Sequence, residues 1–109
     1  MDTTPIKELI LEIQKNPPPG RLAVITVELS SWFATLSQQL EDILVFKADR
    51  WQELRKDCKS DKSTDRLWDS LVEGKNEIKL RSQLKYLEKI ISSIKFLLRV
   101  KEVESYGKY

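Results

Sequence analysis

Between residues 80 and 98 the apolar side chains fall at Leu80, Leu84, Leu87, Ile91, Ile94 and Leu98, an unbroken alternation of four- and three-residue steps. A spacing that averages 3.5 residues keeps one seam of an α-helix turned toward a neighbouring helix. A β-strand, with its period of two, cannot hold such a set on one face. Little in the chain interrupts helices: there are three glycines and four prolines in 109 residues, and Pro17, Pro18 and Pro19 are adjacent.

The same periodicity recurs upstream. Thr4 and Pro5 read as an N-cap and first helical position, and Ile6, Leu9, Ile10 and Ile13 form one apolar stripe. Pro17 to Gly20 end that helix. From Arg21 a second stripe runs through Leu22, Ile25, Leu29, Trp32 and Leu36, then Leu40, Ile43 or Leu44, Ala48, Trp51 and Leu54. The β-branched Val24-Ile25-Thr26-Val27 has strand propensity, but a lone short strand has no partner here, so it is read as helix. The polar run Lys59 to Ser63 supplies a turn, and Ser60, Asp61, Ser63 and Thr64 are alternative caps for the next helix.

These segments define an all-α fold in one domain. A short helix over about 4–16 and a Pro-rich link at 17–20 precede a long antiparallel, coiled-coil-like hairpin. Its arms are expected over about 21–58 and 64–105, with the turn at 59–63. A turn centred near Asp61 sets Trp51 opposite Leu71, Leu54 near Trp68 and Leu44 against Ile78. Further along it sets Leu36 by Leu87, Phe33 by Ile90, Leu29 by Ile94 and Ile25 by Leu98. Gly74, which costs roughly 1 kcal/mol relative to Ala inside a helix, marks either a kink or a break in the second arm.

The apolar band broadens away from the turn. Leu22, Val24, Ile25, Val27, Leu29, Trp32, Phe33 and Leu36 on one arm, with Ile90, Ile91, Ile94, Phe96, Leu97, Leu98 and Val100 on the other, make a face wider than two helices can cover. The ten candidate interface residues within it are Leu22, Ile25, Leu29, Trp32, Phe33, Leu36, Ile90, Ile94, Leu97 and Leu98. The first helix is expected to cover part of it. A second copy of the chain is the expected cover for the remainder, which makes the protein a homodimer or higher oligomer through those ten residues.

Residue types bound the chemistry. There is no histidine and only one cysteine, Cys58. The commonest general base, the commonest zinc ligand and an intrachain disulfide are therefore ruled out. Asp65, Asp69 and Glu73 stand a helical turn apart, but Lys62 and Arg66 lie among them, the pattern of a solvated charged face. No glycine-rich phosphate loop occurs, because the glycines at 20, 74 and 107 are isolated. We read the chain as a non-enzyme with no cofactor and no metal. No apolar run approaches the ~20 residues that span a bilayer, and the first residues are too charged for a signal peptide. A cytoplasmic location without membrane contact is the expectation.

Net charge is only +2, but Lys75 to Lys101 holds eight basic residues against Glu77 and Glu88. Lys79, Arg81, Lys85, Lys89, Lys95 and Arg99, with Tyr86 beside them, are candidates for contacting the phosphates and bases of DNA or RNA. The blander alternative is a solvated face partly neutralised by Glu28, Glu41, Asp42 and Asp49 on the opposing arm.

The run Arg50-Trp51-Gln52-Glu53-Leu54-Arg55, with Lys59-Ser60-Asp61-Lys62, Asp65-Arg66-Leu67-Trp68 and Leu84-Lys85-Tyr86-Leu87-Glu88-Lys89, resembles a group of small all-helical bacteriophage proteins. Those proteins are mostly encoded among early replication and recombination genes. The resemblance covers roughly residues 45–109 and implies a viral protein acting in the host cytoplasm, in nucleic-acid metabolism or on a host protein. It assigns no site residue. The leading expectation is a homo-oligomeric interaction or assembly protein; the alternatives are a nucleic-acid-binding accessory protein and an inhibitor of a host protein.

Overall fold

The computed structural model describes residues 4–106, which form four helices and no strand. These are α1 (Thr4–Gln14), α2 (Pro19–Lys56), α3 (Asp61–Ser70) and α4 (Val72–Tyr106). Gly107 and Tyr109 of the C-terminal tail lie outside the described residues. The β-branched run Val24–Val27 is helical, as its context requires.

The chain packs into two compact units. A terminal unit holds α1, α2 as far as Ala34, and α4 from Tyr86 onward; a central unit holds Thr35–Lys85, with the rest of α2, all of α3 and the start of α4. Each unit is thus built from three helical segments.

In the terminal unit the core is Ile6 and Leu9 of α1, Leu22, Ile25 and Leu29 of α2, and Leu87 and Ile94 of α4. Burying each such side chain contributes about 1.5–3 kcal/mol, so these three segments hold one another. α1 stops where Asn16 takes a left-handed backbone, φ 54°. Asparagine tolerates that conformation better than most residues, and here it turns the chain into the prolines. The Lys101 ammonium of α4 donates to the Asn16 Oδ1 at 3.3 Å and to the Pro17 carbonyl at 3.2 Å. α4 therefore runs antiparallel to α2 here, since Ser30 and Phe33 share a cleft with Glu88 and Ile91. α2 begins at Pro19, not Arg21: a proline costs nothing in the first turn, and the Pro18 carbonyl accepts from the amides of Arg21 and Leu22, both at 3.0 Å.

In the central unit α2 ends at Lys56, and Arg55 closes the turn by donating to Asp61 and to the Cys58 carbonyl, each at 2.8 Å. Ser60 is the N-cap of α3, its hydroxyl accepting from the Ser63 amide at 3.1 Å. Fully buried Thr64 donates its hydroxyl back to the Ser60 carbonyl at 2.9 Å. The turn therefore occupies 57–60, earlier than the expected 59–63.

Helical structure does not run on to Gly74. It breaks at Leu71, whose backbone is extended (φ −76°, ψ 159°) and whose amide donates to the Trp68 carbonyl at 3.0 Å. The Leu71 carbonyl then accepts from Lys75, starting α4. Gly74 sits in that first turn for want of room: a Cβ there would lie 1.9 Å from the Trp68 carbonyl oxygen. The break resolves the open choice at Gly74. The Trp51 indole N–H donates to Asp65 at 2.9 Å, and Trp68 lies against Phe46 and Lys47.

Candidate interaction surfaces

The structure buries a charge where the expected hairpin pairing had placed Ile78. Ile78 is 53% exposed, whereas Glu77 is 8% exposed and points inward. Three donors satisfy its carboxylate: the Trp68 indole N–H at 3.1 Å, the Arg81 guanidinium at 3.0 Å and the Lys47 ammonium at 3.1 Å. Lys47 also stands 5.5 Å from the centre of the Trp68 ring, a cation–π arrangement. Burial alone would raise the carboxyl's pKa, but the hydrogen bonds from Lys47, Arg81 and Trp68 outweigh it and hold Glu77 below the ordinary glutamate value. The Leu44–Ile78 pairing is therefore replaced by a polar knot joining α2, α3 and α4. The seam spacing did contain a signal for it, since Glu77 stands three residues before Leu80.

In the terminal unit Glu12 of α1 and Arg21 of α2 form a two-pronged ion pair, with the Arg21 Nη2 2.7 Å from the carboxylate. Hydrogen bonding by Arg21 holds the Glu12 carboxyl below its usual value. The pair borders an open cleft of about 410 Å³ that also involves Pro5, Leu9, Glu28 and Trp32. Its walls are mixed in charge. A second shallow cleft of about 250 Å³ brings the expected interface residue Phe33 beside the expected nucleic-acid contact Lys95.

Most of the expected self-association residues serve the chain's own core. Leu22, Ile25, Leu29, Leu36 and Ile94 are at most 1% exposed. Trp32, Phe33, Ile90 and Leu98 are half-buried, and Leu97 alone of the ten is exposed. Apolar side chains left to solvent occur on all four helices, and on the distal part of α4 they form a row: Phe96 at 65% and Val103 at 70%, with Val100 between them. Stepping by four and three, these turn away from buried Leu87 and Ile94. Phe96 and Val100 belong to the broad apolar band expected from the sequence, whereas Val103 lies beyond it and extends no seam.

Lys79, Arg81, Lys85, Tyr86, Lys89, Lys95 and Arg99 are all exposed, as the charged face requires. Arg81 is occupied by Glu77, so it does not belong with the rest. The others are spread around the solvent side of α4 and do not follow one line. Among the described residues no ion pair joins Glu28, Glu41, Asp42 or Asp49 to these bases. Glu28 pairs with Arg21 at 4.0 Å, and among the described residues Glu41, Asp42 and Asp49 have no ion-pair partner on α4.

Among the described residues no group of three or more histidine, cysteine, aspartate or glutamate side chains is placed to hold a metal ion, and no helix is long and apolar enough to cross a membrane. No family model, no curated protein and no solved structure matches the chain, so its function is read from its own residues.

Proposed function

We propose that the protein is a non-catalytic helical interaction protein that works by self-association. The observation that carries this reading is the row Phe96, Val100 and Val103 on the outward face of α4. An exposed phenylalanine beside valines at helical spacing is an unfilled helix-packing surface, and covering it removes apolar area from water at about 25 cal/mol per Å². Sedimentation velocity over a concentration series is the test. The expected result is a mass that rises above the 12.8 kDa of one chain as concentration increases. Introducing Phe96→Lys with Val103→Lys should return the protein to a monomer with its helicity intact. A wild-type chain that stays monomeric at high micromolar concentration rejects the reading.

A second reading, binding of DNA or RNA along α4, draws support from Lys85, Lys89, Lys95 and Arg99, which are exposed and unpaired with any carboxylate among the described residues. It predicts affinity that falls steeply with salt, with one unit of log–log slope lost for about each phosphate contact removed. Absence of oligonucleotide binding at low salt rejects it.

A further inference from the structure

Two exposed helix faces carry apolar residues among charges of opposite sign. On α4, Lys89, Phe96, Arg99 and Val100 share the outward face, at steps that return to one side of a helix. On α2, Val45 is 67% exposed and is flanked by Asp42 three residues before it, Asp49 four residues after it and Glu41. None of these acids or bases finds an ion-pair partner among the described residues, although Asp42 accepts a hydrogen bond from Gln38. The α4 face is thus apolar with a cationic border, the α2 face presents one exposed apolar side chain, Val45, within an anionic border, and both borders remain open to a partner.

We propose that these faces are the two halves of one contact: the outward face of α4 docks on the outward face of α2 of a second copy. The inference rests on the self-association reading and specifies it. The charge complementarity selects the occupant, since a second α4 on α4 would bring Lys89 and Arg99 against like charges. A contact between two different faces is heterologous, so each copy both offers a basic face and accepts on an acidic one. Opposite charges bordering apolar residues set orientation and disfavour like-with-like pairing, and salt weakens the contact.

The experiment uses two full-length variants, Asp42→Lys with Asp49→Lys and Lys89→Glu with Arg99→Glu. All four positions are exposed, and circular dichroism is expected to match wild type for both. Each variant alone should sediment as a monomer at concentrations where wild type associates, with affinity lowered on the order of tenfold or more. A one-to-one mixture should regain the wild-type mass, because each reversed face then meets its complement. If wild type associates and only the α4 variant abolishes association, the contact is α4 with α4 or with another surface, and this inference falls while self-association stands. If both variants are monomeric and the mixture stays monomeric, the pairing of these two faces is overturned. A monomeric wild type overturns the self-association reading itself.

Discussion

The indole N–H of Trp68 donates to the carboxylate of Glu77 at 3.1 Å, tying the last turn of α3 to the second turn of α4 across the extended residue Leu71. A buried carboxylate held by an indole and two cations makes the central unit depend on the charge of one side chain. Replacing Glu77 by glutamine should cost about 1.5–3 kcal/mol at neutral pH, the usual worth of hydrogen bonds to a charged group. Chemical denaturation with wild type alongside would measure it.

The pH dependence has a definite sign. Glu77 has a folded pKa below its unfolded one, so its contribution is fully present above the ordinary glutamate range. It is lost as pH falls through the lowered folded value. The stability gap between wild type and Glu77→Gln should therefore narrow in acid and vanish once the wild-type carboxyl is protonated. A gap that stays constant down to that range would show that the carboxylate's charge is not what stabilises the knot.

Two considerations predict opposite outcomes at Gly74. Helix propensity says that Gly74→Ala stabilises by about 1 kcal/mol. The Trp68 carbonyl oxygen, 1.9 Å from where the new methyl would stand, says otherwise, because the obstructing atom is backbone and must move. A net loss of about 2 kcal/mol or more is expected, and thermal unfolding decides the sign.

Ser60→Ala removes the hydroxyl that accepts from the Ser63 amide. The loss should be about 1 kcal/mol. Because the cap serves α3, amide exchange should quicken first at its N-terminal turn.

In the terminal unit, Leu29→Ala should cost about 2–5 kcal/mol, as its side chain is fully buried. Phe96→Ala, at 65% exposure, should change folding stability by less than about 0.5 kcal/mol while weakening association. Paired denaturation and sedimentation measurements separate the two effects.

Much of this architecture could be read from side-chain spacing. The seam from Leu80 to Leu98 and the stripe from Leu22 to Leu36 mark the buried faces because apolar period alone decides them. A break in the second arm was one of the two readings at Gly74, but its place at Leu71 was not legible, since an apolar residue fills it and no proline or polar cap announces it. α4 keeps the phase of the Leu80–Leu98 seam, which carried three residues upstream turns Glu77 in and Ile78 out, and hydropathy ranks the two the wrong way round. Phe96 and Val100 stand in the expected band and Val103 lies beyond it, and spacing alone does not say which members of such a band stay in solvent. A stripe shows which residues can be buried together, and only the packing of α1, α2 and α4 shows which of them are.

The division of the chain also bears on the order in which it folds. The central unit is continuous in sequence, Thr35–Lys85, whereas the terminal unit joins segments from both ends of the chain. Contacts between neighbours in sequence form with little loss of loop entropy, while bringing distant segments together is slow until the intervening chain is ordered. Structure should therefore appear first around Trp68 and Glu77, and the core of Leu22, Ile25 and Ile94 should close afterwards. Pulse-labelled amide exchange during refolding would display that sequence of events: protection would begin in the middle of the chain and reach its two ends last.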